Sequence, residues 1–269
     1  MKKIFLAVLA VATAFTVSAQ QYKAPQVVAN GGYHKHASSG AKNSMSALKA
    51  ALKLKIYGSE CDVNLTKDGE ILVVQSGWHP GGKANPKADV QRSTAAKMLE
   101  VPYTNGEYVS TLEEFLKRVA KKPTTKLILD LKSQATLQRE TELVEKVLAI
   151  VEKAGMQKNV EYLAAHPWVA FELAKKAPEG SAIAYLGNNY DPAYVKGMGC
   201  TSIDYNFKVL QKKKGWIKQA HKQGLVVNAW TVNKEEDIRW CIQNGVDVIT
   251  TDEPVLAKKI IKEMCGAQK

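Results

Sequence analysis

Little in this 269-residue chain is repetitive or biased. No Pro- or Ser-rich linker, low-complexity run or internal repeat divides it, so a modular array is excluded and one domain is expected. Cysteine is scarce: Cys61, Cys200, Cys241 and Cys265 are widely spaced and share no metal-ligand pattern. Cys61 in a strand-like run and Cys241 on a helix read as small apolar residues, although an oxidising compartment would permit a disulfide. The formal net charge of +12 comes without a basic stripe interleaved with aromatics and without a nucleic-acid motif. Its lysines are scattered along helices, and Lys212-Lys213-Lys214, the densest cluster, sits at a helix approach. Solvated helix faces explain the excess, with a general preference for anionic small molecules and no nucleic-acid partner. Oligomeric state is not readable.

Long apolar runs are also missing, with one exception. Ile4 to Val17 is almost wholly apolar, follows Lys2 and Lys3, and ends in the small residues Val17-Ser18-Ala19. It is short for a bilayer span, and no stop-transfer pattern follows. No Cys succeeds the cleavage site, which argues against a lipid anchor. Residues 1–19 are therefore expected to be a signal peptide, and 20–269 a periplasmic or secreted domain with no stable membrane anchor.

What is present is alternation. Short β-branched runs alternate with helical segments, as in parallel βαβ units. The core strands are expected at Gln26–Asn30, Ser59–Leu65, Lys126–Leu131, Val160–Ala164, Ala182–Leu186, Ser202–Asn206, Val226–Trp230 and Val246–Thr250. Between the second and third lies a hairpin through Lys67-Asp68-Gly69, where Asp-Gly suits a tight turn, and Ile71–Gln75 pairs back. Ser110 is expected to cap the helix Thr111–Ala120, and Gly215–Gln223 to form a helix after the sixth core strand. No Gly-rich dinucleotide loop follows the first strand, which disfavours an open doubly wound sheet. Eight strand–helix pairs make a single α/β (β/α)8 TIM barrel, with a small hairpin insertion after the second strand, the expected fold. In such a barrel, chemistry belongs at the carboxyl ends of the strands.

Glu60 and Asp62 lie two apart on a strand, so both point to one face. Asp130 and Lys132 repeat that spacing on the next core strand. Three carboxylates converging in a barrel interior are costly without a partner. They make an oxygen-rich site suited to Mg2+ or Ca2+, or an ion-pair network against Lys132.

At these residues the chain resembles the glycerophosphodiester phosphodiesterase family. The carriers are Gly58-Ser-Glu60-Cys-Asp62-Val63, Thr66-Lys-Asp68-Gly69, Val227-Asn-Ala-Trp230-Thr-Val-Asn233 and Gly245-Val-Asp247-Val-Ile-Thr-Thr-Asp252-Glu-Pro254. Asn43-Ser44 and Thr111-Leu-Glu113-Glu-Phe115-Leu116 add to them. The resemblance implies the barrel fold, assigns Glu60, Asp62 and Asp130 to a divalent metal, and makes Trp230 a pocket wall. Asp130 stands where most of these enzymes carry Glu, but the Asp-x-Lys form is similar to the sphingomyelinase D branch of spider venoms.

The resemblance breaks at the family's histidines. Its opening His-Arg-Gly is Asn30-Gly31-Gly32 here, its second histidine falls on Gln75, and the acidic residue before Asn43-Ser44 is Lys42. Neither Asn nor Gln can carry a proton near neutral pH, and that transfer is typically worth about 100- to 10,000-fold in rate. The lost Arg also removes a bidentate phosphate clamp. Three other histidines, His34, His36 and His79, sit on the same two loops.

Two functions follow. In the first, a periplasmic metal-dependent hydrolase cleaves a glycerophosphodiester or similar small phosphodiester. Lys132 then stabilises charge, one of His34, His36 and His79 transfers protons, and Asn30 and Gln75 hydrogen-bond the substrate. In the second, an inactive barrel binds a phosphodiester or other polar ligand at the same mouth. His166 could face the pocket or cap a helix, His221 belongs to a helix surface, and Trp78 sits on the loop after Gln75.

Overall fold

In the computed structural model, residues 22–35, 40–75, 89–100, 102–103, 105–121 and 123–266 are described. The expected signal peptide, His36, Trp78 and His79 lie outside them. Eight parallel strands close on themselves: β1 (Gln26–Ala29), β2 (Gly58–Leu65), β5 (Lys126–Leu131), β6 (Val160–Ala164), β7 (Ile183–Gly187), β8 (Ser202–Asn206), β9 (Val226–Trp230) and β10 (Val248–Thr251). β1 pairs with both β2 and β10, completing the barrel. Two short strands, β3 (Ile71–Val73) and β4 (Ser110–Thr111), extend β2 as an antiparallel flap. No helix among the described residues is long and apolar enough to cross a membrane.

Strand alternation divides the interior into two cores. Outward residues such as Val63, Leu129, Tyr162, Ile203 and Ile249 pack beneath the helices. Inward residues Val28, Ile128, Leu163, Ala184 and Val248 form an apolar plug inside the barrel. Fully burying an aliphatic side chain is worth about 1.5–3 kcal/mol. Two residues further along β1, β5 and β10 the inward positions become polar, at Asn30, Asp130 and Thr250, so the plug forms the floor of the mouth.

The helices are α1 (Met45–Lys53), α2 (Ala95–Leu99), α3 (Leu112–Ala120), α4 (Leu137–Lys153), α5 (Pro167–Lys176), α6 (Pro192–Gly197), α7 (Phe207–Lys212), α8 (Trp216–Lys222), α9 (Glu235–Gln243) and α10 (Pro254–Cys265). Two local expectations need correction. Thr111, not Ser110, caps α3: its hydroxyl accepts from the Glu114 amide, while the Glu114 carboxylate accepts from the Thr111 amide. Ser110 and Thr111 both belong to β4, and α3 begins at Leu112, one residue later than expected. The connection after β8 carries two helices, with α7 starting directly at the strand end, where Asn206 caps it. The four cysteines are free, and Cys61, Cys200 and Cys241 are buried among apolar residues.

Candidate active site

β2 and β5 run in register, with Asp62 opposite Asp130 and Glu60 opposite Ile128. This brings Glu60, Asp62 and Asp130 together at the mouth, with one oxygen from each within 4.8 Å of the others. All three are buried. The Gly31 amide donates to Glu60 Oε2 at 2.6 Å. Asn43 donates from Nδ2 to Asp62 Oδ2 at 2.6 Å and accepts the Asp62 amide at 3.0 Å. Lys132 Nζ lies 2.5 Å from Asp62 Oδ1 and also binds Asp130 Oδ2.

One ammonium faces three carboxylates. Burial, reinforced by Asp62 and Asp130, raises the Glu60 carboxyl well above its ordinary range. Burial also pushes Asp130 up to about 6, against the pull of Lys132. For Lys132, burial works against the charge, but Asp130, Asp62 and Glu60 outweigh it and hold the ammonium protonated. The excess negative charge and the buried, unpartnered Asp130 Oδ1 fit a divalent cation. Oxygens around one calcium-sized ion sit about 2.3–2.6 Å from it, hence within about 5 Å of each other. The ion pair and the metal site are thus compatible, because Lys132 neutralises only part of the triad.

The triad forms one wall of a cavity of about 270 Å3. Leu163 and Leu186 make part of its floor, and Asn30, Gly31, Lys42, Gln75 and Thr250 line it from the loops and β10 side. Trp230 and Asp204 line it from β9 and β8. Asp204 is 2% exposed. Burial, with the Asp130 charge adding, pushes its carboxyl up to about 8. Its Oδ1 has no hydrogen-bond partner among the described residues, and the Trp230 indole donates to its backbone carbonyl instead, at 3.0 Å.

The loop after β1 is held from behind by Asp252. Asn30 Nδ2 donates to Asp252 Oδ1 at 2.8 Å, Lys42 Nζ lies 3.0 Å from the same oxygen, and Asn233 Nδ2 donates to Oδ2 at 2.8 Å. Burial alone would raise the Asp252 carboxyl, but these donors hold it below its ordinary value. Gly31 and Gly32 both have positive φ, at 63° and 76°. They turn the chain so that His34 lies behind Asn30, with Nδ1 3.2 Å from the Asn30 carbonyl and Nε2 3.9 Å from Asp252 Oδ1. Burial, then Lys42, lowers its pKa against the opposing effect of Asp252.

The structure therefore gathers Asn30, Gln75, Lys132, Trp230 and the three carboxylates around one cavity, and places His34 outside the cavity lining. His166 sits at the start of α5 with Nδ1 2.7 Å from Glu140 Oε2, and His221 on α8 pairs with Asp247 at 2.8 Å. Neither lines the cavity. Asp204 was not among the expected site residues. The signal for it was weak: Ser202, Asp204 and Asn206 alternate on a recognised strand, a pattern shared by any strand with one polar face.

A polar, carboxylate-lined mouth at the strand carboxyl ends of a closed barrel is where (β/α)8 enzymes carry their chemistry. The sequence profile of the glycerophosphoryl diester phosphodiesterase family matches residues 30–256. A glycerophosphodiester phosphodiesterase of Bacillus altitudinis is 27% identical over 232 residues, 83% of this chain and 94% of the relative. The crystal structure of a glycerophosphodiester phosphodiesterase from Parabacteroides distasonis superposes with a TM-score of 0.85 at 31% identity, covering 90% of this chain and 98% of that one. An Oleispira antarctica phosphodiesterase, solved with the product sn-glycerol-3-phosphate, shares the fold with a TM-score of 0.75 at 19% identity, covering 88% of this chain and 97% of that one. This chain belongs to the glycerophosphoryl diester phosphodiesterase family, whose named relatives are phosphoric diester hydrolases.

Proposed function

We propose that this protein hydrolyses a glycerophosphodiester or a similar small phosphodiester, with a divalent cation, Mg2+ or Ca2+, as cofactor, outside the cytoplasm. The observation that carries the reading is the triad of Glu60, Asp62 and Asp130, intact and lining the cavity of a family fold. A cation held there supplies positive charge that polarises a phosphoryl oxygen and lowers the pKa of a nucleophilic hydroxyl. Lys132 adds a fixed positive charge beside the developing oxyanion. Lys42, whose ammonium pairs with Asp252, also lines the cavity and adds a second positive charge beside an anionic substrate. Asn30 and Gln75 hydrogen-bond substrate oxygens, and Trp230 bounds the pocket. Localisation rests on residues 1–19, and amino-terminal sequencing of the exported protein should begin near Gln20.

A second reading is that the barrel binds such a ligand without cleaving it. It is favoured by Asn30 and Gln75 standing where the family's proton-transferring histidines belong, and by the placement of His34 behind Asn30. His36 and His79 remain candidates for proton transfer under the first reading. The deciding experiment is hydrolysis of glycerophosphocholine with Mg2+, Ca2+ or Mn2+. The hydrolase reading expects metal-dependent turnover that disappears in Glu60→Ala. Absence of turnover with every metal, alongside measurable binding of sn-glycerol 3-phosphate, establishes the binding-only barrel.

A further inference from the structure

We propose that Asp204 is the proton donor to the leaving alcohol, an inference that rests on the hydrolase reading. It stands on placement. Asp204 projects from β8 into the cavity that holds the carboxylate triad, while the triad itself belongs to β2 and β5. β6 and β7 separate the two walls and contribute Leu163 and Leu186 between them. A diester bound at the triad would therefore lie between the metal-ready wall and Asp204.

The surroundings of Asp204 suit an acid rather than an anion. Its side chain is buried, no salt bridge involves it among the described residues, and its Oδ1 is unpartnered. The adjacent β9 offers Asn228 in register and the Trp230 indole, which is committed to the Asp204 backbone carbonyl. The charged groups that share the cavity are Asp130 on β5 and Lys132 just after it, Glu60 and Asp62 on β2, and Lys42 on the loop before α1. Lys132 is engaged by Asp62 and Asp130, and Lys42 by Asp252. A buried carboxylate without a cation or donor is strongly disfavoured, so the neutral acid prevails. Its elevated pKa, about 8, agrees.

The step balances as follows. The oxygen of the attacking water, or of a neighbouring substrate hydroxyl, forms a bond to phosphorus. The bond from phosphorus to the leaving alkoxide breaks, and the Asp204 proton passes to that oxygen, which departs as an alcohol. The carboxylate left behind is reprotonated by the proton that the nucleophile loses. The chain's missing histidines thus need not leave it without an acid.

The test compares two esters that differ in need for protonation. Glycerophosphocholine must release an alcohol, whereas p-nitrophenyl phosphocholine releases a stable phenolate. Asp204→Asn should lose about 100-fold or more in kcat on the first and less than about tenfold on the second, with Mn2+ affinity by calorimetry within about twofold of wild type. The wild type should show an alkaline fall in kcat near pH 8 for glycerophosphocholine that the p-nitrophenyl ester lacks, a readout that survives if the variant fails to fold. Equal losses on both esters, lost Mn2+ binding in the variant, or identical alkaline limbs for the two esters overturn the role of Asp204 alone. Wild-type protein inert on both esters overturns the hydrolase reading, and the proton-donor role with it.

Discussion

Lys42 runs through the space that Gly31 leaves open. A Cβ on Gly31 would lie 2.8 Å from the Lys42 Cβ, 3.0 Å from its Cγ and 3.2 Å from its Cδ. A side chain at position 31 and the observed path of Lys42 therefore exclude one another. This gives the replacement of the family's Arg by Gly31, and of its acidic residue by Lys42, a common physical meaning: the cation enters the same cavity from the neighbouring loop. Lys42→Ala should weaken sn-glycerol 3-phosphate binding about 10-fold or more at low salt, the worth of one charge-assisted hydrogen bond. The salt dependence should fall with it, both measured by calorimetry. Lys35→Ala, which removes an exposed pair with Glu253, should change neither.

Asn43 holds Asp62 from a backbone position that few residues tolerate. Its φ is 62°, it is 3% exposed, and it makes both a donor and an acceptor contact to Asp62. Asn43→Ala loses both hydrogen bonds and places a Cβ-bearing residue without Asn's local compensation at positive φ. We expect a loss of about 2–4 kcal/mol in unfolding free energy, together with weaker metal binding. Asn43→Gly should recover the backbone part of the stability but not the metal affinity. Denaturant melts and metal titration separate the two contributions.

The barrel was legible because short β-branched runs alternate with helical segments along the chain, and the two-residue spacing of Glu60 with Asp62 and Asp130 with Lys132 directs side chains to one face in any strand. The cation-ready wall follows from that geometry. The direction of the loop after β1 does not, because two consecutive glycines with positive φ decide it, and they tuck His34 behind Asn30 rather than into the mouth. Ser110 and Thr111 are both competent caps and both pair with β3; the choice falls on Thr111 because Glu114, three residues on, completes a capping box with it. Asp204 escaped notice because its significance is three-dimensional: an acid on an inward strand face becomes unusual only when no cation from another strand reaches it.

That isolation has a consequence for stability. The Asp204 carboxyl titrates near 8 in the native protein, whereas an unfolded Asp titrates near about 3.9. Between those values the native state binds the extra proton, so stability is full below about pH 4 and is lost as pH rises toward 8, levelling off beyond. In metal-free protein, Asp204→Asn should match wild type near pH 4 and become progressively more stable from there to pH 8. The difference is at most on the order of 5 kcal/mol, as four pKa units correspond to about that much. Thermal melts in chelator across this range check it. A constant offset between the two proteins at all pH values would contradict the neutral-acid assignment.

Restoring the imidazoles asks whether the mouth is otherwise intact. Gln75 lines the cavity, and Asn30 both lines it and donates to Asp252 Oδ1. An imidazole at position 30 can offer a ring N–H to the same carboxylate, so Asn30→His with Gln75→His should be accommodated by the existing network. If the metal wall and the lysines already bind the diester productively, the double variant should raise kcat for glycerophosphocholine about 100-fold or more over wild type, the usual worth of positioned acid–base groups. In that background Asp204→Asn should cost less than about tenfold, because the proton then has another source, whereas in the wild-type background the same change removes most of the activity. A double variant that still binds sn-glycerol 3-phosphate but gains no rate would mean that binding at this mouth no longer holds the reacting atoms in line, and the departure from the family would then extend beyond its two histidines.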